Sequence, residues 1–166
     1  MSSILDQDIQ FLPSVGPKTK EILSKELGIR SYGDLLEYYP YKYVDRSKIF
    51  HISELTSDMP FVQLKGKILS YEEVDIGKRN KMLVAHFSDG YGVVDLVWFR
   101  SAQYIIKSYK VGTEYIVFGK PSAYNGRFRF AHPDIDDASK LQISEMGMQP
   151  FYGLTENMKK RGYTSR

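Results

Sequence analysis

Residues 81–107 read KMLVAHFSDGYGVVDLVWFRSAQYIIK, and the fold turns on where this stretch changes its period. MLVAHFSD and VVDLVWF are runs of β-branched and aromatic residues, and the DGYG between them is a strong hairpin turn. Past Phe99 the pattern switches. SAQYIIKSYKVG places apolar residues at Ile105, Ile106 and Tyr109, the spacing of a short helix. Along the strand, Leu96 and Trp98 share one face and Val97 and Phe99 the other. Leu96 and Trp98, the chain's one tryptophan, are expected inside. Phe99 then stands outside at the strand's end, Tyr104 opens the helix, and Ile105 and Ile106 turn inward.

The flanking sequence extends the strands. Upstream, FVQLKGKILSYEEV sets Val62, Leu64 and Ile68 on one face and Gln63, Lys65 and Lys67 on the other. Gly66 inside it marks a bulge or sharp coil. A polar loop, DIGKRNK, follows. Downstream, TEYIVFGKPSAY and RFRFAH pair across Asn125-Gly126, a strong short-range hairpin signal. Three strands, a short helix and two further strands, opened by a long coiled strand, are the order of a five-stranded OB barrel. Small lipocalin-like and SH3-like barrels compete, and the helix between strands three and four argues against both.

Before this segment the chain reads as helical. Ile22, Leu23 and Leu27, then Leu35, Leu36 and Tyr39, recur at helical spacing. Pro17 suits a first helical turn, Gly28 a C-terminal stop, and Ser31 with Asp34 a capping box. Between the first apolar stretch and the Pro17 helix lies SVGPK. A tight turn feeding a helix N-terminus presents free amides, so Val15, Gly16 and Lys18 form a candidate phosphate hairpin. A plain helix-turn-helix packing unit would look the same. After about Ala138 the alternation fades. The chain therefore reads as an α+β, mostly β protein: a helical, helix-hairpin-helix-like segment over 1–50, an OB-fold domain over 51–137 and a linker over 138–166.

The 166 residues are 42% hydrophobic and 14% aromatic, enough for a packed core. Without cysteine there is no disulfide, thiolate metal site or cysteine nucleophile, which fits a cytoplasmic protein. No apolar run approaches the roughly 20 residues of a membrane helix. His51, His86 and His132 lie far apart without metal-ligand spacing, and Asp134, Asp136 and Asp137 read as solvated turn acids. No glycine-rich loop ends in Lys-Ser or Lys-Thr to cradle ATP, and no nucleophile sits in a recognisable catalytic motif. No catalytic residue, metal or cofactor is expected in this chain.

Binding signals are better placed. Net charge is only +3, but from Phe61 to His132 eleven Lys and Arg stand against six Asp and Glu. Lys78, Arg79 and Lys81 fill the loop between the first two barrel strands. Arg127 and Arg129 alternate on the last strand, opposite Phe128 and Phe130, and Lys65 and Lys67 project from the first. Cations on the loops and face of an OB barrel suit a phosphate backbone. Phe99 and Tyr104, with Arg100 between them, are candidates for stacking on unpaired bases.

VGPKTKEILSKELGIRSYGDLLEYYPYKYVDRS, KGKI, FSDGYGVVDLVWF, QYI, KVGTEYIVFGK, AHPD and PFYGLTE together resemble, in order, the N-terminal region of the RecG family of branched-DNA helicases. The resemblance implies an OB-fold wedge that splits the arms of a junction, with stacking aromatics in the Phe99–Tyr104 stretch. It also implies motor domains elsewhere that use ATP and Mg²⁺. The expected function is non-catalytic binding and splitting of branched DNA, at stalled forks and Holliday junctions, in repair and recombination. The expected partners are branched DNA and single-strand-binding protein, with no membrane and a monomeric state. A free-standing OB module for single strands or tRNA, or an OB protein-interaction domain, would share many of these features.

Overall fold

The computed structural model describes residues 3–77, 80–140 and 147–165. Contacts divide them into two units, one running to Val44 and resuming at Met148, the other spanning Asp45 to Gly147.

In the first unit, helix starts and stops follow local chemistry. α1 (Pro17–Leu27) begins with Pro17 in its first turn and ends at Gly28, left-handed at φ 72°. α2 (Tyr32–Glu37) is opened by the Ser31–Asp34 capping box, in which each side chain accepts from the other's backbone amide. Two features depart from the all-helical reading. β1 (Lys42–Asp45) is a strand and pairs with β9 (Met148–Phe151). The stretch expected as a linker is partly structured too, since β9 and α4 (Glu156–Lys160) group with the N-terminal helices. Thr155, the N-cap of α4, and Asn157 both donate to the Glu26 carboxylate of α1, which lies below the usual glutamate range for that reason. Neither link is legible locally, because its halves lie more than a hundred residues apart.

The second unit is a curled sheet. Its elements are β2 (Val62–Asp75), β3 (Lys81–Ser88), β4 (Val93–Trp98), α3 (Ala102–Ser108), β5 (Glu114–Gly119), β6 (Pro121–Tyr124), β7 (Arg127–Ala131) and β8 (Asp134–Asp137). The sheet order is β6-β7-β4-β3-β2-β5-β8, antiparallel throughout except for the parallel pair β4–β7. β5 and β6 lie toward opposite ends of that order, yet only Lys120 separates them in the chain. The sheet must therefore bend round. This is the OB topology, its fourth strand divided at Lys120 into β5 and β6, with β8 added.

The long first strand makes the curl possible. β2 pairs with β5 through Val62–Lys67 and with β3 through Lys67–Asp75. At the changeover sits Gly66, where a Cβ would come within 2.2 Å of the Ser88 carbonyl oxygen. Glycine is needed there for a close backbone approach. The bulge itself falls between Ile68 and Ser70, leaving Leu69 52% exposed. The Asn125-Gly126 hairpin forms as expected, both residues at positive φ.

The sheet's inner face carries Leu64, Ile68, Leu83, Ala85, Phe87, Val94, Leu96, Trp98 and Phe130, with Ile105 of α3 packed on them. Leu96 and Trp98 point inward, as their alternation requires. Each large side chain so buried contributes about 1.5–3 kcal/mol. Val97 faces the other way and closes a small second cluster with Met82 and Val84.

Two sequence expectations are corrected on the outer side. Gln63, which alternation places with Lys65 and Lys67 on the face away from the core, is nonetheless 1% exposed. Its amide donates to the Arg46 carbonyl and its carbonyl accepts from Arg46 Nε, both at 2.7 Å. The Asp134–Asp137 acids form β8 rather than a solvated turn, because the open edge of β5 is satisfied by a further strand. Asp136 then receives the buried Arg46 guanidinium at 3.2 Å. A charge this buried is tolerated because carboxylate, amide and the Phe118 ring at 4.5 Å all meet it.

Candidate nucleic-acid interface

The end of β4 is held from both sides. Beyond Trp98 the chain leaves the sheet, and Ser101 turns it at φ 62° into α3. On α3, Ile105 is drawn into the core, so the preceding residue, Tyr104, faces out and is 67% exposed. Phe99 is 47% exposed. Arg100, between the two, is exposed and makes no ion pair among the described residues. α3 is anchored behind them. The Tyr71 hydroxyl donates to the Tyr109 carbonyl at 2.8 Å, and the Lys110 amide donates to the Tyr115 hydroxyl at 2.8 Å. Burial pushes the Tyr71 hydroxyl up to about 12, and the neighbouring Tyr115 and Tyr109 reinforce the shift, so it remains a donor at neutral pH.

His132 closes the other side. It follows β7 at φ 47°, a left-handed conformation uncommon for a residue other than glycine. Its amide donates to the Val97 carbonyl at 2.8 Å, and its Nε2 receives the Phe99 amide at 3.4 Å. The two rings lie 5.6 Å apart. Partial desolvation, then the charge of Arg100, hold His132 below its ordinary 6.5. In the sequence this histidine stands apart from the other two, without metal-ligand spacing. The AHPD stretch was the only signal that could have singled it out.

The strand cations fare differently. Lys65 pairs with Glu114 at 3.0 Å. Lys81, expected in a loop, is the first residue of β3 and pairs with Glu73 at 3.1 Å. Arg127 lies 4.0 Å from Asp95, and Arg129 stacks on Tyr124 at 3.6 Å. Lys67 is exposed and lines, with Lys65, a cleft shared with His51 and Asp89. Lys78 and Arg79 lie outside the described residues. On the outer sheet face His86 sits between acids, 2.9 Å from Asp95 and 3.4 Å from Glu72. Much of this positive charge is therefore matched locally by carboxylates.

The SVGPK turn also differs from a ready anion cradle. The left-handed residue is Ser14, at φ 71°, while Gly16 is extended. The Val15 amide is already spent on the Leu12 carbonyl at 2.9 Å. Lys18 lines a cleft with Lys25, Glu21 and Glu26, and Lys20 is held by Asp8 at 2.5 Å.

Topology and rim together define an OB-fold domain whose third barrel strand ends in exposed aromatics around a cation. The chain belongs to the RecG wedge domain family, whose model matches residues 8–164. It is similar to the ATP-dependent DNA helicase RecG of Thermotoga maritima, 34% identical over 95% of this chain and 20% of that protein. It is also similar to the RecG of Streptococcus pneumoniae, 32% identical over 93% of this chain and 22% of the relative. A solved structure of RecG bound to a three-way DNA junction superposes with a TM-score of 0.73 at 32% identity, covering 97% of this chain and 22% of that one. The chain thus spans about a fifth of the length of these relatives. Among the described residues no helix is long and apolar enough to cross a membrane.

Proposed function

We propose that this chain is the DNA-binding wedge of an ATP-dependent helicase of the RecG kind, engaging branched DNA such as stalled forks and Holliday junctions in repair and recombination. The observation that carries the reading is the exposed pair Phe99 and Tyr104, set on either side of Arg100 where β4 passes into α3. Each ring can cap an unpaired base, worth about 1–3 kcal/mol per base. A base so held makes re-annealing of the parting arms costlier. The similarity to a RecG solved on a three-way junction supports the same reading. Arg100 and the cations Lys67, Lys78 and Arg79 would take phosphates. In this reading ATP and Mg²⁺ belong to motor domains of the full-length protein, which works in the cytoplasm as a monomer with single-strand-binding protein nearby. No step of the wedge runs through the nucleotide.

The test is Phe99→Ala with Tyr104→Ala, assayed for binding to a three-way junction, linear single strands and tRNA. Junction affinity is expected to fall more than about tenfold, or roughly 1.4 kcal/mol, with the melting temperature nearly constant. Equal binding to branched and unbranched strands would favour a general single-strand module. Absence of binding to any of them would favour a protein-interaction domain.

A further inference from the structure

The AHPD stretch has no role in the reading above, yet its histidine touches the residue on which that reading depends. We propose that His132 is the positioning residue of the wedge: its neutral imidazole accepts the Phe99 amide and braces the Phe99 ring, fixing the angle at which the aromatic leaves β4. The inference rests on the proposed function and deepens it.

Three observations support it. Phe99 is the first residue beyond the β4 ladder, so its amide has no strand partner, and His132 Nε2 at 3.4 Å is the acceptor that it finds. The histidine backbone is itself fixed, by the 2.8 Å bond from its amide to Val97. Gly119 helps, because a Cβ there would come within 3.0 Å of Phe130 and 3.5 Å of Pro133, the neighbour of His132. Finally, left-handed residues stand on both sides of the ring: Ser101 at φ 62° and His132 at φ 47°. Backbone held in such conformations persists where surrounding structure over-determines it, and it collects at sites that must present a group at a set angle.

The role requires Nε2 to be an acceptor, hence an unprotonated ring. Arg100 is the charged group whose field reaches His132, and with partial desolvation it favours the neutral form. The folded state binds this proton less readily than the unfolded chain does. The support is therefore complete above 6.5 and is lost as pH falls through the lower folded value. Protonated histidines ordinarily strengthen DNA binding, so the expected effect on the junction has the opposite sign to the general one.

The experiment follows the Phe99 amide by ¹⁵N–¹H NMR and, in parallel, affinity for a three-way junction and a linear duplex, in wild type, His132→Leu and His132→Gln. His132→Leu should speed exchange of the Phe99 amide and weaken junction binding about threefold to tenfold, the scale of one modest hydrogen bond with a ring contact. Duplex binding should hold. His132→Gln, which keeps an acceptor of similar reach, should restore most of both. In wild type the Phe99 amide shift should titrate with a midpoint below 6.5, and the titration should vanish in both variants. That titration needs no substitution, so it stands even if Leu at positive φ lowers stability. A Phe99 amide indifferent to His132 and to pH overturns the proposal. So does an amide that responds while junction affinity ignores His132→Leu but falls with Phe99→Ala. If Phe99→Ala itself leaves junction affinity unchanged, the wedge reading fails and takes this role with it, whatever the amide does.

Discussion

The rim of the sheet and its outer strand face were equally promising as sequence, and they are built on opposite principles. On the strand face, Lys65 meets Glu114 at 3.0 Å, Arg127 stands near Asp95, and His86 is bracketed by acids, while Lys81, on the same alternation as Leu83 and Ala85 at the start of β3, meets Glu73 at 3.1 Å. At the rim, Arg100 stands between two exposed rings with no carboxylate on it among the described residues. A cation already paired has less to gain from a phosphate, because the incoming anion must displace a neighbour before it neutralises anything. Counting positive charges on an OB surface therefore overstates how much of it is available. What distinguishes the rim is aromatic exposure around an unmatched charge.

The sharpest test of this division lies between two adjacent residues. Trp98 lines the core and Phe99 stands outside it. Trp98→Ala is expected to cost about 3–5 kcal/mol of folding stability, and Phe99→Ala less than about 1 kcal/mol, both read by thermal melting. Comparable losses would mean that the rim ring is packing rather than interface. Next in size is the loop pair. Lys78→Gln with Arg79→Gln should flatten the dependence of log affinity on log salt by nearly 2, if each cation releases about one counterion. An unchanged slope would remove that loop from the interface. Arg100→Gln should flatten the slope by about 1 and weaken junction and duplex alike. Smallest of all, Lys65→Gln with Lys81→Gln should change junction affinity less than about twofold and leave the melting temperature in place. A large loss there would erase the contrast between the paired strand cations and the rim.

The elements that were legible in the sequence are those specified within a few residues. The Asn125-Gly126 hairpin, the Pro17 start and Gly28 stop of α1, and the Ser31–Asp34 cap each follow from local backbone chemistry. The inward turn of Leu96, Trp98 and Ile105 follows from period alone, and with it the exposure of Phe99 and Tyr104. The illegible parts depend on register between distant segments. Gln63 reads as a polar outward residue until Arg46 is folded over it, and the acids of β8 read as a turn until β5 offers an edge. The pairing of Lys81 with Glu73 reflects β2–β3 register, which places Lys81 opposite Asp75, two residues along the strand from Glu73. His132 is the same kind of case, since nothing near it in sequence announces Phe99.

That separation has a kinetic side. The contact between Phe99 and His132 spans 33 residues of chain, and β7 reaches its parallel place beside β4 only after α3, β5 and β6 have been made. At typical synthesis rates those 33 residues emerge over roughly 2–7 s. Through that interval the β4 edge and the Phe99 ring are present without the strand that braces them. Parallel pairing of this kind is also among the slower events in folding, because loop closure precedes any gain from contact. The rim should thus be the last part of the sheet to mature, and the β4 edge the surface most open to wrong partners until it does.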